Sequence, residues 1–162
     1  NTRVVQRSHA LLGRPWGDDF LYDEAMIMGD GPVGAAKAAM TTGGLGGFMA
    51  AASVGPIRSL LNNYVLPKPG TGPSLDKQQA GFYDLRFFGE TADGQTIVTK
   101  VTGDADPGYG STAKMLGEAA IALLELDHAT TPGGFHTPTT AFGDDLIERL
   151  IEHAGLSFSV ID

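Results

Sequence analysis

The sequence contains no cysteine, which removes disulfides, thiolate catalysis and Cys-ligated zinc or iron–sulfur centres. Their absence fits a reducing compartment, and the expected location is cytoplasmic. Basic residues are sparse: 11 Lys and Arg stand against 19 Asp and Glu, for a formal net charge of −8. A duplex-binding surface needs clustered cations to displace phosphate counterions. Here the cations are scattered singly apart from Arg3 and Arg7, so no nucleic-acid partner is expected. The four histidines, His9, His128, His136 and His153, are widely spaced and form no H-x-x-x-H or H-E-x-x-H pattern. No metal site is expected on that ground. Nucleophile elbows, G-x-x-x-x-G-K-[ST] phosphate loops and Ser-His-Asp groupings are missing as well. The chain opens on Asn1 without the basic stretch and apolar run of a signal peptide, and it reads as a piece of something longer.

What is present is apolar and glycine-rich. Apolar residues make up 42% and charged residues 19% of 162 positions, so the chain is neither a disordered tail nor a multi-span membrane protein. A domain of this length buries about 70% of the surface its unfolded chain exposes. The 23 glycines cluster rather than repeat, which excludes fibrous and solenoid periods. Residues 1–12 predict a short helix, broken by Gly13, Pro15 and Gly17. Residues 20–28, FLYDEAMIM, read as a strand with imperfect alternation.

The 20 residues 38–57 carry no charge and are flanked by Lys37 and Arg58. Their length could cross a bilayer, but Gly43, Gly44, Gly46, Gly47, Gly55 and Pro56 make a poor helix in water. A buried or partner-facing helix pair and a membrane-contacting element are both open. Residues 58–65 continue as helix, and a Pro/Gly-rich linker follows. FYDLRFFG, an Asp93-Gly94 turn and TIVTKVT predict a β-hairpin over residues 82–102. Residues 111–126 predict a helix with Met115, Leu116, Ala119, Ala120, Leu123 and Leu124 as its apolar stripe. A second helix spans residues 139–153, with Leu146, Ile147, Leu150 and Ile151 inward and Ala154-Gly155 closing it. LSFSVID reads as a last strand with Leu156, Phe158 and Val160 inward. The fold class is α+β, a mainly antiparallel sheet with covering helices.

Two loops hold the residues able to contact a ligand. In VTGDADPGYGSTAK, Asp104 and Asp106 precede Gly108, Tyr109 and Gly110, and Ser111 and Thr112 stand where a helix begins. Unpaired N–H groups at a helix start suit an anion or carboxylate, the glycines permit close approach, and Lys114 lies one turn in. The alternative is a capped helix with the aspartates as turn formers. Residues 108–113 also match G-x-G-x-x-A, but the preceding strand belongs to a hairpin and not to a parallel βαβ unit, so no cofactor-binding residue is assigned to this segment. In TPGGFHTPTT, His136 could donate a proton or contact a carbonyl, or could simply sit at the surface as a cap; Thr137 precedes Pro138 at a helix start. Asp144, Asp145 and Glu148 are explained by the helix dipole.

KVTGDADPGYGSTAKMLGEAAIAL followed by GGFHTPTTAFGDDLIERL closely resembles the C-terminal half of saccharopine-dehydrogenase-like oxidoreductases, in the actinobacterial branch that includes trans-acting enoyl reductases. NTRVVQRSHALLG, YDEAMIMGDGP and GFYDLRFFGETADGQT also resemble that branch, so the resemblance covers nearly the whole chain. It implies a two-domain enzyme in which residues 1–162 form the C-terminal substrate and dimerisation domain. A Rossmann domain upstream would hold NAD(P)H, and residues 139–162 could pack back on it. The segment alone would be inactive. The implied partners are an acyl or other small-molecule substrate and a second copy in a homodimer; the uncharged run at residues 38–57 leaves a membrane surface open as a third. Asp106, Gly108, Tyr109, Gly110, Ser111, Thr112, Lys114, His136 and Thr137 are the expected substrate contacts. A non-catalytic, lipid-associated binding or scaffolding module is the competing reading.

Overall fold

The computed structural model describes residues 1–68, 70–127 and 129–162. Pro69 in the linker and His128 in the second loop lie outside the described residues. The chain forms two compact units, one of residues 1–22 with 73–162 and one of residues 23–72.

In the larger unit, β1 (Tyr83–Glu90), β2 (Thr96–Gly103) and β3 (Leu156–Val160) make an antiparallel sheet in that order. The hairpin forms as the sequence predicts. Glu90 pairs with Thr96 and Tyr83 with Gly103. Within the five-residue loop the Gly94 N–H donates to the Thr91 carbonyl at 2.9 Å, while the Asp93 carboxylate accepts from the Thr91 hydroxyl and the Gln95 amide. One sheet face carries Leu85, Val101 and Phe158 in register; the other carries Arg86, Lys100 and Ser159. An ion pair of 3.1 Å between Lys100 and Asp84 marks that second face as the polar one.

Helices α5 (Gly110–Glu125) and α6 (Pro138–His153) pack together and cover part of the apolar face. The core joins Leu150, Ala154 and Leu156 to Val101, Met115, Leu146 and Phe158. Arg149 of α6 reaches Glu118 and Glu125 of α5, each at 3.0 Å, and ties the pair. α1 (Thr2–Leu11) joins α6 through the hydroxyls of Ser8 and Thr137, 2.7 Å apart. Inside α6, Gly143 takes φ 56° and ψ −136° and kinks the helix, a conformation that side chains with a Cβ resist.

Three expectations are corrected. Residues 20–28 form no strand; instead Phe20 joins Trp16 in flanking His9, whose ring stacks on the indole at 5.1 Å. The stripe expected on α5 is only partly inward: Met115 and Ala119 are half-buried and Ala122 is buried, while Leu116, Ala120, Leu123 and Leu124 face outward. Apolar residues occur on several faces of that helix, and periodicity alone cannot choose among them. At β3, Leu156 is buried and Phe158 half-buried, but Val160 is 67% exposed and lies outside the core cluster. The structure also adds a short helix, α4 (Leu75–Gln79), started by the Ser74 hydroxyl, which accepts from the Lys77 N–H.

The smaller unit holds α2 (Gly31–Ser53) and α3 (Gly55–Tyr64). The Gly-rich run is helical after all. Pro32 stands in the first turn of α2 and Pro56 in that of α3, where a missing N–H costs nothing. Between them Val54 is extended and separates the two helices. Gly34 is the one residue buried in either helix, seated against the Gly29 carbonyl. Among the described residues no helix is long and apolar enough to cross a membrane.

Candidate functional site

The end of β2, the loop after it and the start of α5 build the first expected site. At Gly103 the chain passes beneath the Tyr83 ring so closely that a Cβ would overlap it. Asp104 then reaches the Lys114 ammonium with both carboxylate oxygens, at 2.9 and 3.1 Å. The same carboxylate lies against Gly155, whose φ of +70° ends α6. Any residue with a Cβ would collide with Asp104 there and would also be strained by the left-handed backbone.

Asp106 closes the helix start. Its carboxylate accepts the Tyr109 N–H at 2.7 Å and the Gly110 N–H at 3.2 Å, and its carbonyl accepts from the Ser111 N–H at 2.9 Å. Hydrogen bonds from the backbone N–H groups, Tyr109 first, hold its pKa below the ordinary carboxylate value. The N–H groups expected to receive a ligand anion are thus occupied by the protein's own anion, and a pyrophosphate placed there would meet a second negative charge. Gly108 lies beside that carboxylate. Ser111 is fully buried and bonds the Tyr83 hydroxyl at 2.9 Å, and Thr112 donates back to the Pro107 carbonyl at 2.6 Å. Asp106, Ser111 and Thr112 thus make the hydrogen bonds that shape the loop, with Gly108 exposed beside the Asp106 carboxylate.

Gly110 and Lys114 do border open space. With Leu75, Gln78, Gln79, Asp104 and Ala105 they line a cavity of about 340 Å³ between α4 and the start of α5. The Gln78 carbonyl accepts from the Asp106 N–H at 2.8 Å, which fixes α4 against the loop. Its side-chain amide donates to Pro73 at 2.9 Å. Gly110 fits tightly: a Cβ there would stand 3.1 Å from that of Ala105 and 3.3 Å from the Gln78 carbonyl. Tyr109 is exposed on the same loop. The arrangement offers an exposed ammonium steadied by a carboxylate, amide groups from α4 and an apolar lip from Leu75. That chemistry suits polarising or holding a carbonyl oxygen.

The second loop lies elsewhere. Asp104 sits against Gly155 just past the C-terminal end of α6, whereas Thr137 begins α6. Neither His136 nor Thr137 is among the residues that line the cavity. The two loops are therefore not brought into one pocket. Thr137 is buried as the cap of α6, its hydroxyl 2.7 Å from Ser8 and its N–H donating to Thr140 at 2.9 Å. His136 is exposed and its Nε2 donates to the Pro132 carbonyl at 2.8 Å, which steadies the loop on itself. Among the described residues no cluster of His, Asp and Glu could hold a metal ion.

Sequence reasoning missed Leu75, Gln78 and Gln79, because the linker reading ends at Ser74 and the residues after it are assigned to no element. The signal was Ser74 placed three residues before Lys77, a helix cap in an otherwise broken stretch.

The chain is 40% identical over 154 residues to a Mycobacterium tuberculosis protein with the provisional name trans-acting enoyl reductase, covering 93% of this chain and 36% of that relative. It is 36% identical over 155 residues to the trans-acting enoyl reductase of Mycobacterium ulcerans, with the same shares covered. Against that of Mycobacterium bovis the identity is 35% over 153 residues, again with 93% of this chain and 36% of the relative. The chain thus spans about a third of the length of these curated relatives. No protein-family model matches it, and no solved structure does.

Proposed function

We propose that this chain is the substrate-side part of a nicotinamide-dependent enoyl reductase of the saccharopine-dehydrogenase-like type, acting on an acyl substrate of lipid or polyketide synthesis. The observation that carries the reading is similarity along 93% of the chain to proteins named trans-acting enoyl reductase. The family placement follows the resemblance of the DPGYGSTAK and GGFHTP segments described above. Hydride chemistry belongs mostly to the cofactor, and the protein supplies position and electrostatics. The cavity beside Lys114 and Tyr109 suits that role: an ammonium held by Asp104 can steady the carbonyl of an enoyl ester while Leu75 and Ala105 meet the chain.

NAD(P)H would be held by a Rossmann domain in the part of the relatives that this chain does not span, and the whole enzyme would act as a homodimer. Saccharopine itself fits poorly, since several carboxylates call for grouped Arg or Lys and the cavity has Lys114 alone among its lining residues.

Steady-state kinetics on the full-length protein test this. With an enoyl thioester and NADPH or NADH, Lys114→Ala and Tyr109→Ala should raise the KM for the thioester by about tenfold, equivalent to about 1.4 kcal/mol, and leave the KM for the nucleotide unchanged. Wild-type values in both variants would remove the cavity from the reaction. The 162-residue chain alone, titrated with either nucleotide in a calorimeter, should show no saturable binding.

A further inference from the structure

All 19 acidic residues of the chain lie outside residues 31–72, a stretch that carries Lys37, Arg58 and Lys68. In a molecule of net charge −8, α2, α3 and the segment after them are therefore purely cationic. The same stretch exposes a dense set of apolar side chains. Met40 is 76%, Leu45 61% and Met49 64% exposed, and Phe48, Val54, Ile57, Leu60 and Tyr64 are exposed as well. Apart from Lys37, Thr41, Thr42 and Ser53, α2 is apolar or glycine around its whole circumference. A helix of that kind is ordinarily covered by something other than water.

We propose that the α2–α3 hairpin binds the surface of an anionic lipid bilayer, lying along the boundary between headgroups and acyl chains without crossing it. Charge selects the partner. Lys37 and Arg58 border the uncharged run, and neither forms an ion pair among the described residues. Such cations are drawn to anionic headgroups and can extend to them while their stems stay in the apolar layer. The exposed face is Met, Leu, Phe, Ala and Gly with few hydrogen-bonding groups, which suits a fluid apolar phase better than a directional protein partner.

Geometry selects the depth. The 16 steps from Lys37 to Ser53 rise about 24 Å, short of the roughly 30 Å hydrocarbon core. Arg58 stands about one turn past the bend at Val54, so an upright hairpin would draw its guanidinium among acyl chains. Lying flat, Lys37, Arg58 and Lys68 reach phosphate level and Tyr64, at the end of α3, takes the interfacial position tyrosine favours.

Co-sedimentation with vesicles tests the proposal. The chain should bind phosphatidylglycerol vesicles, bind phosphatidylcholine vesicles far less, and release as salt rises. Lys37→Glu with Arg58→Glu should weaken phosphatidylglycerol binding by at least about tenfold, and Phe48→Asp with Ile57→Asp should abolish it, with the far-ultraviolet circular dichroism of each variant unchanged in buffer. Equal affinity for the two lipids, or full binding by the charge-reversed variant, overturns the proposal. So does a chain that ignores vesicles but forms a dimer in sedimentation velocity that the Asp pair disrupts, which would make the face an interface between copies.

Discussion

Two hydroxyls, those of Tyr83 and Ser111, meet 2.9 Å apart where β1 faces the start of α5. Ser111 is fully buried, so removing its partner leaves a polar atom without solvent or bond. Tyr83→Phe should cost about 1–2 kcal/mol in urea unfolding, whereas adding Ser111→Ala to it should cost little more. Additive losses would show that the pair is not coupled. Asp106 makes a pH-dependent contribution of known sign. Its folded pKa lies below the unfolded value because the Tyr109 and Gly110 N–H groups favour the carboxylate. Its stabilising effect is therefore complete above about pH 4 and fades as pH falls through the lowered folded value. The stability gap between wild type and Asp106→Asn should narrow with acidification, and a gap independent of pH would deny the ionised cap. The sequence named Asp106 as a residue of interest but left its role open between ligand contact and turn former. Only the positions of the Tyr109 and Gly110 N–H groups decide it, and those depend on how Gln78 of α4 holds the loop from outside.

At the scale of elements, the hairpin was readable because alternation, β-branched residues and Asp93-Gly94 all point the same way. Residues 20–28 look similar in composition, yet a strand needs a partner for its backbone groups. The sheet order β1-β2-β3 offers that segment no place, and Phe20 packs against the ring of His9 instead. Helices α1, α5 and α6 were located correctly but not fully oriented: of the stripe expected on α6, Leu150 is buried and Leu146 half-buried, while Ile147 and Ile151 are exposed. α5 carries apolar residues on more than one side, and the inward side is chosen by Leu150 and Ala154 of α6, about 30 residues away along the chain. The Arg149 tie between these helices is accordingly not local in sequence. Its guanidinium serves Glu118, whose side chain is largely buried, as well as the exposed Glu125. Arg149→Met keeps the stem and removes both bonds, and should cost about 2 kcal/mol in chemical denaturation. Glu125→Gln should cost a few tenths, since exposed pairs contribute little. Equal losses would mean that burial of Glu118 plays no part.

For the molecule as a whole, the division into two units is the feature that composition hid. The sequence reads as one domain because its length and apolar content suit one. Residues 31–72, which make up most of the smaller unit, carry no carboxylate, a property of distribution and not of totals. The candidate cavity belongs wholly to the larger unit, and the proposed lipid contact to the smaller one. Substitutions at Lys114 and at Phe48 should accordingly be separable: the first should change turnover of a water-dissolved thioester with vesicle binding intact, and the second the reverse. Loss of both properties in either variant would tie the units together.

The lone tryptophan, Trp16, lies in the larger unit against His9, while 33 helical residues, 23 in α2 and 10 in α3, stand in the smaller. Indole emission therefore watches one unit while ellipticity reports the helices of both. Heated together, the two signals form a built-in two-channel thermometer. Superimposed curves would mean a single cooperative collapse, and staggered midpoints would mean that the Gly/Ala hairpin melts on its own account.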